Sequence, residues 1–276
     1  MKFIHMSDIH LTVPGEIIDG LDPHKRFRQA LDHIETHHSD AERIIITGDL
    51  THWGECEAYE ALNKAIEGFP IPVRLLLGNH DDREAFIQMN PNHPLDTNGF
   101  VNHGEQVDDM TFIYCDTNEP ETHAGHFCEN RLAWLQGILT SRADDCVLFF
   151  HHNPRPLHQP AMDSIGLVPA HSSPLMVLIR QHRRHIRHMF FGHTHLTVSG
   201  IFAGVPFACV RSTLHQGMPE FSKSEWLHGA NLAPHYSVVF MEPDNTVIHQ
   251  IPFTYDGPIK LSGTGWKDWA KQESVA

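Results

Sequence analysis

Five short groups of metal-preferring residues stand out: Asp8-Ile9-His10, Gly48-Asp49, Gly78-Asn79-His80-Asp81, His151-His152 and Gly192-His193-Thr194-His195. No single group could hold an ion tightly. Together they offer carboxylates, an amide oxygen and imidazoles, a donor mixture that suits a pair of divalent ions such as Mn, Fe, Zn or Co. Two such ions, about 3.5–4 Å apart, can share one substrate and flank an attacking oxygen. One bound ion can lower the pKa of a water to about 7. Taken singly, Asp8 would more often be a turn residue, Asp49 a cap, and His193 or His195 a surface group. Five groups in order make that reading remote. A purely structural site is also a poor fit, because structural sites are usually closed and four-coordinate.

These groups need elements to position them, and each follows an apolar run that reads as a buried strand. Residues 3–6 form the first and lead to Asp8. Asp22-Pro23 then opens a helix, with Asp22 as N-cap and Phe27, Ala30, Leu31 and Ile34 at helical spacing. Residues 43–47 are a second strand, 57–69 a helix, and 72–77 a third strand. Residues 100–101 and 111–115 predict strands around a turn at Asp108-Asp109. Leu132, Leu135, Ile138 and Leu139 mark a helix, 146–150 a strand delivering His151, 175–182 a helix, and 189–191 a strand delivering His193. Four later runs, 197–202, 207–210, 236–241 and 246–251, are strand-like. Strand–helix–strand alternation implies right-handed crossovers and parallel pairing. The predicted fold is α/β: a four-layer α-β-β-α sandwich of two mixed sheets flanked by helices. With no clear linker, residues 1–276 read as one domain. Roughly 213–276 would be a C-terminal extension that covers the site or supports oligomerisation. Loops 90–98 and 153–174 are expected to overhang the site.

Composition narrows the partners. The net charge is −14, with 34 acidic residues against 20 basic ones. Such a surface repels duplex nucleic acid. The five cysteines are odd in number and lack CxxC spacing, which favours reduced thiols in a cytoplasmic protein. Residues 3–6 are expected to enter a strand at once, so no signal peptide is expected, and no apolar run approaches membrane-spanning length. Of the 25 histidines, His182, His185 and His188 read as polar groups near a helix end, as do His37 and His38. Trp226, Trp266 and Trp269 in the C-terminal part could support a homodimer or higher homo-oligomer.

The ordered groups resemble the signature of the calcineurin-like metallophosphoesterase superfamily: DxH, GD, GNH followed by an acid, a strand-end histidine, and GHxH. They run from residue 8 to residue 195, about two thirds of the chain. The resemblance implies that Asp8, His10 and His195 bind one metal ion. Asn79, His151 and His193 would bind another, with Asp49 bridging both. A hydroxide between the ions would be the nucleophile. His80 would face the phosphate, stabilise the transition state and protonate the leaving alkoxide. The resemblance also implies His151 rather than His152, because in relatives the first histidine of this pair, at the strand end, is the ligand. Asp81 would orient His80 or cap the next helix; capping is favoured for both Asp81 and Asp82.

The chain looks most like the bacterial class III cyclic nucleotide phosphodiesterase and glycerophosphodiesterase branch. Residues 4–10, the run GNHDD at 78–82, Met162-Asp163 with Ile165-Gly166-Leu167, and residues 212–216 carry that likeness. His215 would contact substrate or merely close a strand. Asn153 and His52 depart from the branch, where Pro and an Asp or Asn are frequent; neither is expected to touch a metal ligand. The implied activity is hydrolysis of small phosphodiesters, cyclic nucleotides or glycerophosphodiesters. A phosphomonoesterase on the same scaffold is the alternative, and a non-catalytic metal-bearing scaffold is disfavoured because every ligand is kept. Two dications, two carboxylates and a hydroxide leave a single positive charge, which a diester monoanion would match.

Overall fold

The computed structural model describes residues 1–142, 144–222 and 225–259. The first half alternates strand and helix: β1 (Lys2–Met6), α1 (Pro23–His37), β2 (Ile44–Thr47), α2 (Cys56–Ile66), β3 (Val73–Leu76) and α3 (Arg83–Met89). A hairpin of β4 (His103–Val107) and β5 (Met110–Tyr114) follows, then α4 (Glu129–Ser141) and β6 (Asp145–Phe149). The one-turn α5 (Pro160–Asp163), α6 (Pro169–His182), β7 (Ile186–Phe191), β8 (Val198–Phe202) and β9 (Val205–Cys209) come next. A short ribbon, β10 (Gln216–Gly217) with β11 (Gly229–Ala230), precedes the final hairpin, β12 (His235–Glu242) and β13 (Asn245–Pro252).

Two mixed sheets result. Their strand orders are β13-β12-β1-β2-β3 and β4-β5-β6-β7-β9-β8. β1, β2 and β3 are parallel, as are β5, β6, β7 and β9. Alternate residues of each central strand enter different cores, because the sheets are covered on both faces. Ile4 and Met6 of β1 pack toward α1 and α2, while Phe3 faces the other sheet. Val147 and Phe149 of β6 meet Phe3 between the sheets, while Cys146 and Leu148 pack under α4 and α6. The layers are therefore helix, sheet, sheet, helix, as expected. Phe3 sits at the middle of the inter-sheet core, with ring centres 5.4 Å from Phe112 and 5.6 Å from Phe190. Each such buried ring contributes about 1.5–3 kcal/mol.

Several expectations need correction. Residues 100–101 are not a strand; the partner of β5 is His103–Val107, a polar edge strand without apolar alternation. Asp108 turns the hairpin at φ +51°. α2 stops at Ile66, short of Phe69, and Gly68 follows at φ +69°. α6 begins at Pro169, with Pro at its first turn. His188 is not at a helix end: it lies in β7, buried, its ring stacked 4.4 Å from Phe190. The stretch after Thr213 is more than an appendage, since β12 pairs with β1 from Lys2↔Phe240 to His5↔Ser237 and completes the first sheet. Trp266 and Trp269 lie outside the described residues. Loop 90–98 lines a separate cavity beside Arg74, His103 and Glu105.

Glu105 ties the sheets together. From edge strand β4 it accepts from Arg43, from Arg74 (2.9 Å) and from the Tyr114 hydroxyl (2.7 Å). Burial would raise its pKa, but the Tyr114 hydroxyl and the two guanidiniums outweigh burial and lower it. A depressed carboxylate stabilises the fold above its unfolded pKa and loses that contribution as pH falls through the folded value. Glu105→Gln should therefore cost about 1–3 kcal/mol at pH 7. In urea titrations its gap from the unaltered protein should narrow toward pH 3.

Candidate metal centre

All five chemistry-bearing groups sit on loops that leave the C-terminal ends of parallel strands. Asp8 and His10 follow β1, Asp49 follows β2, residues 78–81 follow β3, His151 follows β6, and 192–195 follow β7. Backbone bonds clamp the loops: Asp8 N to Gly48 O (3.0 Å), His10 N to Asp49 O (2.9 Å) and Gly192 N to His151 O (3.1 Å). The two sheets thus bring their loops to one edge. Close approach explains two glycines. A Cβ on Gly192 would lie 1.7 Å from Ser7 Oγ, and one on Gly48, whose φ is +94°, would lie 2.4 Å from His151 Nδ1.

The backbone is strained where the donors are. Asp8, His10, Asp49, His193 and His195 all hold positive φ, between +47° and +67°. Left-handed backbone costs an L-residue about 1–2 kcal/mol, and such strain gathers at functional sites.

Asp8 and Asp49 are buried carboxylates. Asp8 accepts from the His193 backbone N–H at 3.1 Å, and its Oδ1 is 3.4 Å from His195 Nε2. Asp49 stands between two groups. Its Oδ2 is 3.7 Å from His10 Nε2, and its Oδ1 is 3.3 Å from His151 Nε2. Asn79 Oδ1 lies 3.1 Å from His151 Nε2 and 2.8 Å from His193 Nδ1. His10 Nε2 and His195 Nε2 face each other at 3.1 Å.

Second hydrogen bonds decide which ring nitrogens carry protons. His195 Nδ1 donates to His215 O (2.9 Å), and His151 Nδ1 donates to Thr47 O (2.7 Å). Their Nε2 atoms, when neutral, are lone pairs pointing at other acceptors. Such an arrangement calls for a cation in the gap. Without metal the demand falls on protons: although burial opposes it, the Asp49 carboxylate lifts His151 to about 9. Burial drives His10 well below its usual pKa, and burial with the nearby His151 brings His193 to about 3, so both are neutral ligands in waiting. The residues present fit divalent cations. The donors fall into two groups that share Asp49: Asp8, His10, Asp49 and His195, and Asp49, Asn79, His151 and His193. His152 lies in the same cluster, but its Nδ1 pairs with Thr117 Oγ1 (2.7 Å) and its Nε2 with His123 O (3.2 Å).

Asp82 does cap α3, accepting from Ala85 N at 2.8 Å. Asp81 does not. It is buried and accepts from the N–H groups of Leu50, Thr51 and Gly78 and from the Thr51 and Tyr59 hydroxyls, at 2.8–3.1 Å. It therefore locks the Asp49 loop to the Asn79 loop. Burial and the Asp49 carboxylate raise its pKa to about 6.

Two supporting residues were not legible as such. His52 was expected to touch no ligand, yet its Nδ1 is 3.2 Å from His10 Nδ1. His123 Nδ1 pairs with Asn79 Nδ2 at 2.9 Å, turning the amide oxygen toward His151 and His193. No spacing marked His123; only its place in a loop rich in Thr and His hinted at it. His215 does line the cavity, beside the rings of His10 and His195 (4.9 and 4.5 Å). The cavity holds about 370 Å³ and is walled by Gln159, Met162, Ile165, Trp226 and Leu227. Of the expected loop 153–174, residues from Gln159 to Ile165 line the cavity, while 169–174 belong to α6.

The chain belongs to the calcineurin-like phosphoesterase family, whose sequence profile matches residues 1–196. It is a metallophosphoesterase, and more narrowly a phosphodiester hydrolase. A probable cyclic nucleotide phosphodiesterase of Rhodopseudomonas palustris is 38% identical over 263 residues, 94% of this chain and 95% of the relative. A cAMP/cGMP dual specificity phosphodiesterase of Mycobacterium tuberculosis is 26% identical, covering 90% of this chain and 78% of its own length. A glycerophosphodiester phosphodiesterase of Enterobacter lignolyticus is 24% identical over 78% of each chain. Among solved structures, the fold matches a purple acid phosphatase from yellow lupin seeds with a TM-score of 0.63 at 11% identity, over 94% of this chain and 52% of that one. The family implies divalent metal cofactors, and the clustered Asp and His side chains are suited to them.

Asp81→Asn replaces an acceptor oxygen by an amide donor facing N–H and O–H groups. Thermal or urea unfolding should show a loss of about 2–3 kcal/mol. Metal content after dialysis should fall as well, because the Asp49 loop loses its anchor.

Proposed function

We propose that the protein is a binuclear metal-dependent phosphodiesterase acting on small diesters, cyclic nucleotides or glycerophosphodiesters. The observation that carries this reading is Asp49, whose two oxygens face two separate donor groups. Asp8, His10 and His195 would hold one ion, and Asn79, His151 and His193 the other, with Asp49 shared. Mn, Fe, Zn or Co fits this mixed O and N set. When bound, the ions would supply Lewis acidity and would lower the pKa of a water that could act as nucleophile.

The chain's own groups do the rest. His80 Nδ1 donates to His52 O at 2.9 Å, and its backbone N–H donates to Asp49 Oδ1 at 3.0 Å. With Nδ1–H committed to that carbonyl, Nε2 is the ring nitrogen left to face the phosphoryl group, where a proton on it would stabilise the developing charge and pass to the leaving alkoxide. Asp49 aligns both halves of the site. Gln159, Met162 and Trp226 wall in the leaving group, and His215 would contact it. Among the described residues no Lys or Arg lines the cavity. That supports a singly charged diester over a dianionic monoester, and it argues against polyanions. The names of the relatives support the same class. A phosphomonoesterase is the second reading, and a non-catalytic scaffold fits poorly with a complete ligand set.

The setting is part of the proposal. A cytoplasmic location is supported by five free cysteines. No helix of the described residues is long and apolar enough to cross a membrane. A homodimer or higher homo-oligomer is supported by exposed Phe221, Trp226 and Leu227, which offer apolar surface to bury.

Protein reconstituted with Mn should hydrolyse bis(p-nitrophenyl) phosphate faster than p-nitrophenyl phosphate, and EDTA should stop it. Faster monoester turnover would favour the second reading. Asp49→Ala should lose most activity together with bound metal. His80→Ala should keep its metal while kcat falls roughly 10²–10⁴-fold; an unchanged rate on all diesters would remove His80 from the chemistry.

A further inference from the structure

His52 lies three residues past Asp49, and its backbone N–H donates to Leu11 O at 2.8 Å, so its position is fixed against the His10 loop. Its ring reaches two neighbours. Nδ1 is 3.2 Å from His10 Nδ1, and the ring stacks on His80 at 4.9 Å with an interplanar angle of 18°. Trp53 packs edge-on against it at 4.3 Å.

The His10 contact has a direction that chemistry sets. His10 is buried, and its Nε2 faces His195 Nε2 and Asp49 Oδ2. A neutral imidazole that gives Nε2 to a cation carries its proton on Nδ1. That proton, out of reach of solvent, needs an acceptor. Among the described residues, the only partner of His10 Nδ1 is His52 Nδ1. If His52 donated instead, the His10 proton would move to Nε2 and stand in the place of the metal.

We propose that His52 is a positioning residue: its Nδ1 lone pair accepts the His10 Nδ1–H, which holds His10 in the tautomer that can bind metal. The inference rests on the two-ion reading above. It adds a role for a side chain that touches neither ion nor substrate. Partners of this kind typically change metal affinity or activity by about 10–100-fold when removed. The acceptor is neutral, so it adds no negative charge beside the site where a diester anion would sit.

Two variants of the full-length chain separate this role from packing. His52→Phe keeps a flat ring to stack on His80 and removes the acceptor. His52→Asn loses the ring but puts an amide oxygen where Nδ1 stood, because both atoms are bonded to Cγ. Mn²⁺ binding by calorimetry should show one of two sites weakened about 10–100-fold in His52→Phe and restored nearly to the original in His52→Asn. In Zn-loaded protein, ¹⁵N spectra should report His10 protonated at Nδ1 in the unaltered chain and in His52→Asn. Two Mn²⁺ sites of unchanged affinity in His52→Phe, or equal weakening in both variants, would overturn the inference alone. An unaltered chain that binds fewer than two ions would overturn the two-ion reading and this inference with it.

Discussion

A neutral imidazole nitrogen aimed at two oxygens needs a positive charge between them, and that constraint governs this molecule. His151 Nε2 points at Asp49 Oδ1 and Asn79 Oδ1 because its other nitrogen is committed to a backbone carbonyl. His10 and His195 oppose each other in the same way across Asp8 and Asp49. Burying two carboxylates and several imidazoles in one place is unfavourable unless charges are matched. Cations would match them, and the same cations would supply the chemistry of a phosphodiesterase.

The fold is arranged to keep those donors from relaxing apart. Each stands on a loop anchored to a strand that is buried on both faces, with Phe3, Phe149 and Phe190 holding the sheets together. Five donors are kept in left-handed backbone. Small side chains near them are excluded by contact, as at Gly192 against Ser7. Asp81 then joins two loops through five hydrogen bonds, and Asn118 donates to Gly78 O and Asp81 O to close the same network. Strain at the site is thus held in place by packing and hydrogen bonding around it.

Much of this was legible because apolar runs and ligand groups follow one another so regularly. The strands ending at Asp8, Asp49, Asn79, His151 and His193 are largely apolar, as strands covered on both faces tend to be, with Arg74 of β3 and Arg187 of β7 as exceptions. Elements whose signal is not apolar were harder. β4 is polar, at a sheet edge, and carries its meaning in Glu105. β12 could be recognised as a strand, but its pairing beside β1, over 230 residues away, has no local trace. Asp81 looked like a helix cap because a carboxylate before a helix usually is one. His52 and His123 could not be separated from the other histidines of a chain that has 25, since their meaning lies in which atoms they meet across loops.

The central claim is that two cations sit side by side with Asp49 shared between them. Anomalous diffraction from crystals grown with Mn²⁺ tests it most directly. The account predicts two peaks, one bounded by Asp8, His10 and His195 and the other by Asn79, His151 and His193, with an oxygen of Asp49 beside each. A single peak, or peaks away from Asp49, would contradict it.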